Sequence, residues 1–185
     1  MMTLRDRLRA DTAARHGCVD RAYSSLDITK PGDFRTFLLA HLQVLDALRC
    51  APGHQAAAAE DLRSRMMLAL RADLRELDSH PRAGPAGRPL DPTAVHYLLL
   101  GSSLGTQVLR RRWLQATSPV VAAAGRYLNL GVPPGAWRHL CDQLAGCAAV
   151  NAEADRTVGD TIEIFDRHLA ALASLDLLPE GVAHV

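Results

Sequence analysis

The first candidate for chemistry is His16, which lies four residues after Thr12 and four residues before Asp20. Residues four apart are neighbours on one face of a helix. A neutral imidazole binds iron through one ring nitrogen, and its other N–H then needs an acceptor, which a carboxylate one turn along supplies. This spacing is typical of a histidine ligand with a supporting carboxylate. An exposed histidine beside a charged neighbour has the same spacing, so both interpretations stay open.

The second candidate is a pair of glycines, Gly101 and Gly105, inside a segment with a strong helical pattern. Glycine in mid-helix costs about 1 kcal/mol relative to alanine, so two on the same face need an explanation. The missing Cβ atoms would open a groove in which a flat molecule can approach the backbone. A seam that lets another helix pack closely explains the glycines equally well.

The third candidate is the run of arginines Arg110–Arg112, just after the glycines. Its simplest interpretation is a solvated helix end, which positive charge stabilises through the helix dipole. The alternative is a docking site for an acidic partner.

The remaining reactive side chains form no familiar pattern. The sequence has no H-E-x-x-H, G-x-S-x-G or P-loop motif and no E-x-x-H pair of the di-iron bundles. His41 and His168 lie on apolar helical faces and are expected to be core or boundary residues rather than ligands. Without a C-x-x-C pair, the cysteines are interpreted as free thiols of the core or surface. They are Cys18, Cys50, Cys141 and Cys147.

Helices are expected to position these residues. Apolar side chains recur at three- and four-residue steps and predict helices over about 3–23, 31–49, 55–77, 91–115, 119–128, 136–149 and 152–175. Asp91 followed by Pro92 is typical of a helix start, and the Pro- and Gly-rich segment 79–90 predicts a loop. No strand pattern is visible. The prediction is a single all-α domain over residues 1–185, with about 176–185 as a C-terminal tail.

Composition limits the class of protein. The chain has 185 residues, 48% of them hydrophobic, and a formal net charge of +1, which weighs against a dedicated nucleic-acid binder. No apolar run approaches the ~20 residues of a membrane span, and residues 1–16 show no secretory signal. A cytoplasmic protein without a nucleic-acid or membrane partner is therefore expected. Lys30 is the only lysine, so every other basic side chain is a planar guanidinium suited to carboxylates.

In combination, the first two candidates resemble the heme oxygenase family, specifically its bacterial, biliverdin-producing branch. The first segment is similar to the family's proximal pattern L-R-x-x-T-x-x-x-H-x-x-x-D/E, with Leu8, Arg9, Thr12, His16 and Asp20. The second is similar to the distal signature G-x-x-x-G-x-Q-V-L, with Gly101, Gly105, Gln107, Val108 and Leu109. The order of the motifs and the number of helices agree with a heme oxygenase-like fold along nearly the whole chain.

The resemblance implies a heme-degrading monooxygenase. Such an enzyme binds heme b as substrate and cofactor and cleaves it, with O2 and an external electron donor, to biliverdin, carbon monoxide and ferrous iron. His16 would be the axial iron ligand, and Arg9 would face the heme propionates. The implied catalytic residues are Gly101, Ser102 and Gly105. The implied heme-binding residues are Arg9, Thr12, Asp20, Tyr97, Gly101 and Gly105.

The resemblance also implies partners. Arg110 and Arg111 match basic residues with which relatives meet their electron donor, a ferredoxin or a flavin- or NAD(P)H-dependent reductase. A photoreceptor that uses the product biliverdin is a further partner that the resemblance implies.

Two positions depart from the family pattern. Ser102 stands where many members carry an acidic residue that orders a water molecule, and Thr106 stands where relatives often have glycine. Two alternatives to the enzyme therefore stay open. One is a heme carrier or sensor of the same fold that does not turn heme over, and the other is a superfamily relative that binds a different small molecule, such as a thiamine-like compound.

Overall fold

The computed structural model describes residues 2–176, and most of them are helical, in agreement with the predicted all-α class. The helices in this range are α1 (Leu4–Ser24), α2 (Pro31–Ala47), α3 (Ala56–Glu76), α4 (Pro92–Trp113), α5 (Pro119–Ala123), α6 (Ala136–Ala145) and α7 (Ala152–Asp176). Two short strands, β1 (Arg49–Cys50) and β2 (Pro89–Leu90), lie in the connections. Apart from Asp176, the predicted C-terminal tail lies outside the described residues.

Side-chain caps fix the starts of the two helices that carry the candidate residues. At α1, Thr3 Oγ1 accepts from the backbone N–H of Asp6 at 3.2 Å, and the Asp6 carboxylate accepts from the N–H of Thr3 at 3.1 Å. At α4, Asp91 Oδ1 accepts from the N–H groups of Thr93 and Ala94 at 2.9 and 3.1 Å. Each cap satisfies N–H groups that have no partner inside the helix. The predicted start of α4 at Asp91-Pro92 is confirmed.

The packing of the helices leaves a cleft. Helices α1, α2 and α4 all pack against α7, and α3 packs against α2 and α4. Helices α1 and α4 also both contact α6, but they share few contacts with each other. The space between α1 and α4 is therefore open, with α6 and α7 holding the two helices apart.

The prediction of a chain without strands is wrong in one detail. Strands β1 and β2 pair in parallel, with Arg49 opposite Pro89 and Cys50 opposite Leu90. Two residues are too few to show the alternation by which a strand is found in a sequence. The strand pair connects the end of α2 to the start of α4. Its second strand consists of the last two residues of the predicted loop 79–90.

Two helices end earlier than predicted because tertiary contacts hold the chain that follows. Helix α5 ends at Ala123 rather than near 128, since the fully buried carboxylate of Asp73 accepts from the N–H groups of Arg126 and Tyr127 at 2.9 and 2.8 Å. Helix α6 ends at Ala145 rather than near 149, and the chain beyond it bridges to the residues before α1. Within residues 2–176, no helix combines the length and apolarity that a membrane span requires.

Candidate functional site

A cavity of about 830 Å³ fills the cleft between α1 and α4, within the range of small-molecule sites, roughly 300–1,000 Å³. We call it the main cavity. Of the predicted site residues on α1, its wall contains Arg9, Thr12, His16 and Asp20. Of those on α4, it contains Tyr97, Gly101, Ser102 and Gly105. The structure thus brings all residues with predicted catalytic, heme-binding or metal roles into the wall of one cavity.

His16 and Asp20 form the pair that their spacing predicts. The distance from His16 Nδ1 to an Asp20 carboxylate oxygen is 3.1 Å, and the two side chains are 59% and 62% exposed. A carboxylate can only accept here, so Nδ1 carries the proton and Nε2 keeps its lone pair in the neutral ring. Phe165 of α7 touches the imidazole edge-on, with ring centroids 5.5 Å apart. The imidazole is therefore oriented on two sides, and its second nitrogen can bind a metal.

Arginines mark one end of the main cavity, which we call the arginine end. Arg9 and Arg5, one turn apart on α1, both line the wall. Tyr97 lies on the α4 side of the cavity. Burial raises the pKa of its hydroxyl, and the guanidinium groups of Arg5 and Arg9 offset part of that rise. Burial also raises the pKa of the Cys141 thiol, again opposed by Arg5. The sequence reasoning named only Arg9, although Arg5 lies on the same helical stripe and could have been found from its spacing.

Thr12 lies in the wall but uses its hydroxyl inside its own helix. Its Oγ1 donates to the backbone carbonyl of Leu8 at 2.7 Å, and the side chain is 4% exposed. It therefore contributes shape to the main cavity rather than a hydrogen-bond donor.

Helices α1 and α4 run side by side in the same direction. Arg5 and Arg9 near the start of α1 act on Tyr97 near the start of α4, and at the other end Arg112 lies close to the carbonyl of Leu26 (3.4 Å). A residue in the middle of α4 therefore lies opposite the middle of α1. Gly101 and Gly105 occupy that part of α4 and face His16 across the main cavity.

The two glycines have different surroundings. A Cβ on Gly105 would have no atom within 4 Å, whereas one on Gly101 would lie 3.6 Å from the ring of Trp137. Trp137 on α6 in turn packs against Tyr97, with ring centroids 5.1 Å apart. A side-chain carbon at Gly101 would thus be in ordinary van der Waals contact with α6, whereas at Gly105 the α4 backbone borders open cavity space. No local sequence signal pointed to Trp137.

The hydroxyl groups beside the glycines are turned toward their own helix. Ser102 Oγ donates to the carbonyl of Leu99 at 2.9 Å, and Thr106 Oγ1 donates to the carbonyl of Ser103 at 2.7 Å. Burial raises the pKa of Tyr127 strongly, and the nearby Ser102 hydroxyl opposes that rise. Ser102 therefore lies between the main cavity and Tyr127, and its hydroxyl is within hydrogen-bonding reach of the Tyr127 hydroxyl.

Aromatic and imidazole rings close the end of the main cavity that lies beyond His16. They come from Tyr23, His41 and His168. Tyr127 packs against His41, with ring centroids 5.5 Å apart, and we call the four residues the imidazole cluster. The rings of His41 and His168 have centroids 5.3 Å apart, and Tyr23 touches both. As predicted, both histidines belong to the core, since His168 is 5% exposed and His41 packs on the buried ring of Phe37. Both also line the main cavity.

The two imidazoles are neutral at pH 7. Burial lowers the pKa of His41 to about 4, and burial together with the neighbouring His41 lowers the pKa of His168 to about 3. They come from α2 and α7, far apart in the sequence, so no local motif could have shown that they meet.

The predicted docking residues lie outside the main cavity. Arg110 and Arg111 are both exposed at the end of α4, and Arg110 Nε donates to the side-chain oxygen of Asn129 at 2.5 Å. Leu104 and Val108 are 43% and 62% exposed on the same helix, and Leu104 also lines the main cavity. Leu104, Val108 and Arg111 follow at intervals of four and three residues, so they share one face.

No group of three or more histidine, cysteine, aspartate or glutamate side chains that could hold a metal occurs within residues 2–176. The four cysteines are free thiols, as predicted. Searches with protein-family models, curated proteins and solved structures give no match to this chain.

Proposed function

We propose that this protein is a heme oxygenase with a heme oxygenase-like fold. It would bind heme b in the main cavity and cleave it, with O2 and electrons from an external donor, to biliverdin, carbon monoxide and ferrous iron. The observation that carries the proposal is the position of the His16–Asp20 pair, which lies across one cavity from the exposed backbone at Gly105.

The residues of the main cavity fit a heme. One histidine suffices as protein ligand to heme iron, and His16 donates Nδ1–H to a carboxylate, the usual arrangement for a histidine that binds metal through Nε2. Arg9 lies seven residues before His16, which is about 10 Å along a helix. It therefore lies on the same stripe, and with Arg5 it offers two guanidinium groups for two propionates.

Bound heme would supply the iron at which O2 is activated and the ring carbon that is oxidised. The chain's own residues do the rest. His16 would hold the iron, and Asp20 would increase the basicity of the imidazole. Gly105 would leave room beside the iron while the α4 backbone shields most of the heme face. Ser102 would hold a water molecule through its oxygen lone pairs, since its proton is donated to Leu99.

The exposed face of α4 suits an electron donor. Arg111 and the neighbouring Arg110 supply positive charge, and Leu104 and Val108 supply apolar area. A ferredoxin or a flavin- or NAD(P)H-dependent reductase with an acidic surface would match it. A photoreceptor that uses biliverdin would be the partner for the product.

The second candidate is a heme carrier or sensor with the same site. One observation favours it: Ser102, which stands where an acid would order the catalytic water, donates its only proton to its own helix. A hydroxyl in this arrangement holds a water less firmly than a carboxylate does.

Titration with hemin followed by turnover tests these functions. We expect hemin to give a Soret band that saturates at one equivalent, and reductant with O2 to convert it to biliverdin with release of carbon monoxide. A Soret band without biliverdin would favour the carrier or sensor. If hemin gives no specific Soret band, the heme proposal is wrong and a ligand of another class must fill the main cavity.

A further inference from the structure

The imidazole cluster lies on the side of His16 opposite the arginine end. Tyr23 is seven residues after His16 on α1, and Arg9 is seven residues before it, so each lies about 10 Å from His16 along the helix axis. The main cavity therefore has permanent positive charge at one end and uncharged polar rings at the other.

The hydrogen bond of His41 fixes its tautomer. Its Nδ1 lies 2.9 Å from the backbone carbonyl of Phe37, and a carbonyl oxygen can only accept. Nδ1 therefore carries the proton, and Nε2 of the neutral ring is an acceptor.

His168 has the opposite polarity. Its Nδ1 lies 3.0 Å from the hydroxyl oxygen of Tyr23. Tyr23 is buried, and its hydroxyl has no other side-chain partner in the described chain, so it must donate to His168 or leave its proton unpaired. With the hydroxyl donating, Nδ1 accepts and Nε2 carries the proton of the ring. His168 Nε2–H is therefore a donor.

Both Nε2 atoms are open to the main cavity. The two rings form part of its wall, and no group within residues 2–176 makes a hydrogen bond to either atom. If the rings closed these two nitrogen atoms off from the cavity, each would be a buried polar atom without a hydrogen-bond partner. Neither Nε2 atom is of that kind, so both are accessible from the cavity. The cluster thus presents one acceptor and one donor, on rings whose centroids are 5.3 Å apart and whose planes are inclined by 67°.

A cis-lactam presents the complementary pair, an N–H and a C=O on adjacent atoms. Opening the heme ring creates lactam groups at the two new chain ends, whereas intact heme has only hydrocarbon groups on the edges away from its propionates. With the propionates at the arginine end, ring opening on the opposite side places the lactams at the imidazole cluster.

We propose that His41 and His168 form a subsite that binds the lactam end of the opened tetrapyrrole, so that the main cavity recognises biliverdin by contacts that heme cannot make. The inference rests on the proposed function. A role as a proton donor suits these rings less well, because burial holds the pKa of both far below neutrality.

The test compares the affinities for biliverdin and hemin in matched variants. Binding of biliverdin is followed by quenching of tryptophan fluorescence, since Trp137 lines the main cavity, and binding of hemin by the Soret band. Removing one partner of a buried hydrogen bond costs roughly 1–3 kcal/mol, so His41→Leu and His168→Leu should each weaken biliverdin binding about 5–150-fold. Hemin affinity should change less than about threefold, because intact heme has no polar group at this end to lose a hydrogen bond. His168→Gln, which keeps a donor, and His41→Gln, which keeps an acceptor, should restore most of the biliverdin affinity.

A second measurement does not depend on the variants folding. The lactam C=O stretch of biliverdin bound to the unmodified protein should lie below its position for free biliverdin in an aprotic solvent. An unshifted stretch would overturn the subsite, as would leucine variants that weaken hemin and biliverdin equally or weaken neither. If biliverdin binds as expected but hemin neither binds nor reacts, the heme oxygenase proposal fails and the lactam subsite stands.

Discussion

Gly105 is where the structure makes its sharpest prediction. In the middle of α4, alanine is favoured over glycine by about 1 kcal/mol, and a Cβ at this position would meet no atom within 4 Å. Gly105→Ala should therefore stabilise the fold, with a rise in Tm of about 2–4 °C for a chain of this size. The same methyl group projects about 1.5 Å into the main cavity, into the space assigned to the ligand.

We expect Gly105→Ala to lower the rate of biliverdin formation by about 10–100-fold, because a misplacement of about 1 Å can reduce a rate roughly 100-fold. The rate is measured with hemin, reductant and O2, and stability by circular dichroism during heating. Gly159→Ala is the matched control, since Gly159 also lies inside a helix with nothing within 4 Å of its Cβ position but outside the main cavity. It should stabilise the fold without changing the rate. Full activity of Gly105→Ala together with a raised Tm would refute the position of the ligand against α4.

Three further predictions concern the arginine end of the main cavity, Asp20 and the imidazole cluster. Arg9→Glu and Arg5→Glu should each weaken hemin binding at least tenfold, because each removes a guanidinium–carboxylate pair worth about 1.5–3 kcal/mol. Hemin dimethyl ester, which has no carboxylates, should bind the variants and the unmodified protein with equal affinity. Equal losses of affinity for both ligands would show that these arginines do not bind the propionates. Asp20→Asn should lower the iron–histidine stretching frequency of the ferrous heme complex in resonance Raman spectra, because an amide is a weaker acceptor than a carboxylate; an unchanged frequency would exclude Asp20 as the partner of the ligand. The buried imidazoles of His41 and His168 have pKa values of about 4 and about 3 in the folded protein, against 6.5 in the unfolded chain. Below pH 6.5 the unfolded chain therefore binds more protons than the folded protein. The free energy of unfolding should fall as the pH drops from about 6.5 toward 4, by up to about 1.4 kcal/mol per pH unit for each ring. Urea unfolding should show a shallower fall in the double variant His41→Leu/His168→Leu, and identical pH dependence would contradict their burial as neutral rings.

Contacts within one helix could be predicted from the sequence. His16 and Asp20 meet because helical geometry alone brings residues four apart together, and the cap of Asp91 on α4 follows from two adjacent residues. Arg5 was within reach of the same reasoning, one turn before Arg9 on the same stripe.

Contacts between helices could not be predicted. Trp137 reaches Gly101 only because α6 packs against both α1 and α4, and His41 meets His168 only because α2 packs against α7. Asp73 ends α5 through bonds to backbone groups more than fifty residues away. Apolar periodicity predicts which face of a helix is buried but not which other helix covers it. The residues that α2, α6 and α7 contribute to the wall of the main cavity could therefore not be assigned to it from the sequence.

The most direct test of the central proposal, heme bound in the main cavity through His16, is a hemin titration of the unmodified protein beside His16→Ala, with His80→Ala as the control. His80 is exposed and lies outside the main cavity. We expect the same Soret band for the unmodified protein and His80→Ala, and for His16→Ala a changed ferric spectrum that added imidazole restores. A Soret band and ferric spectrum of His16→Ala identical to those of the unmodified protein would contradict the proposal that His16 holds the heme iron.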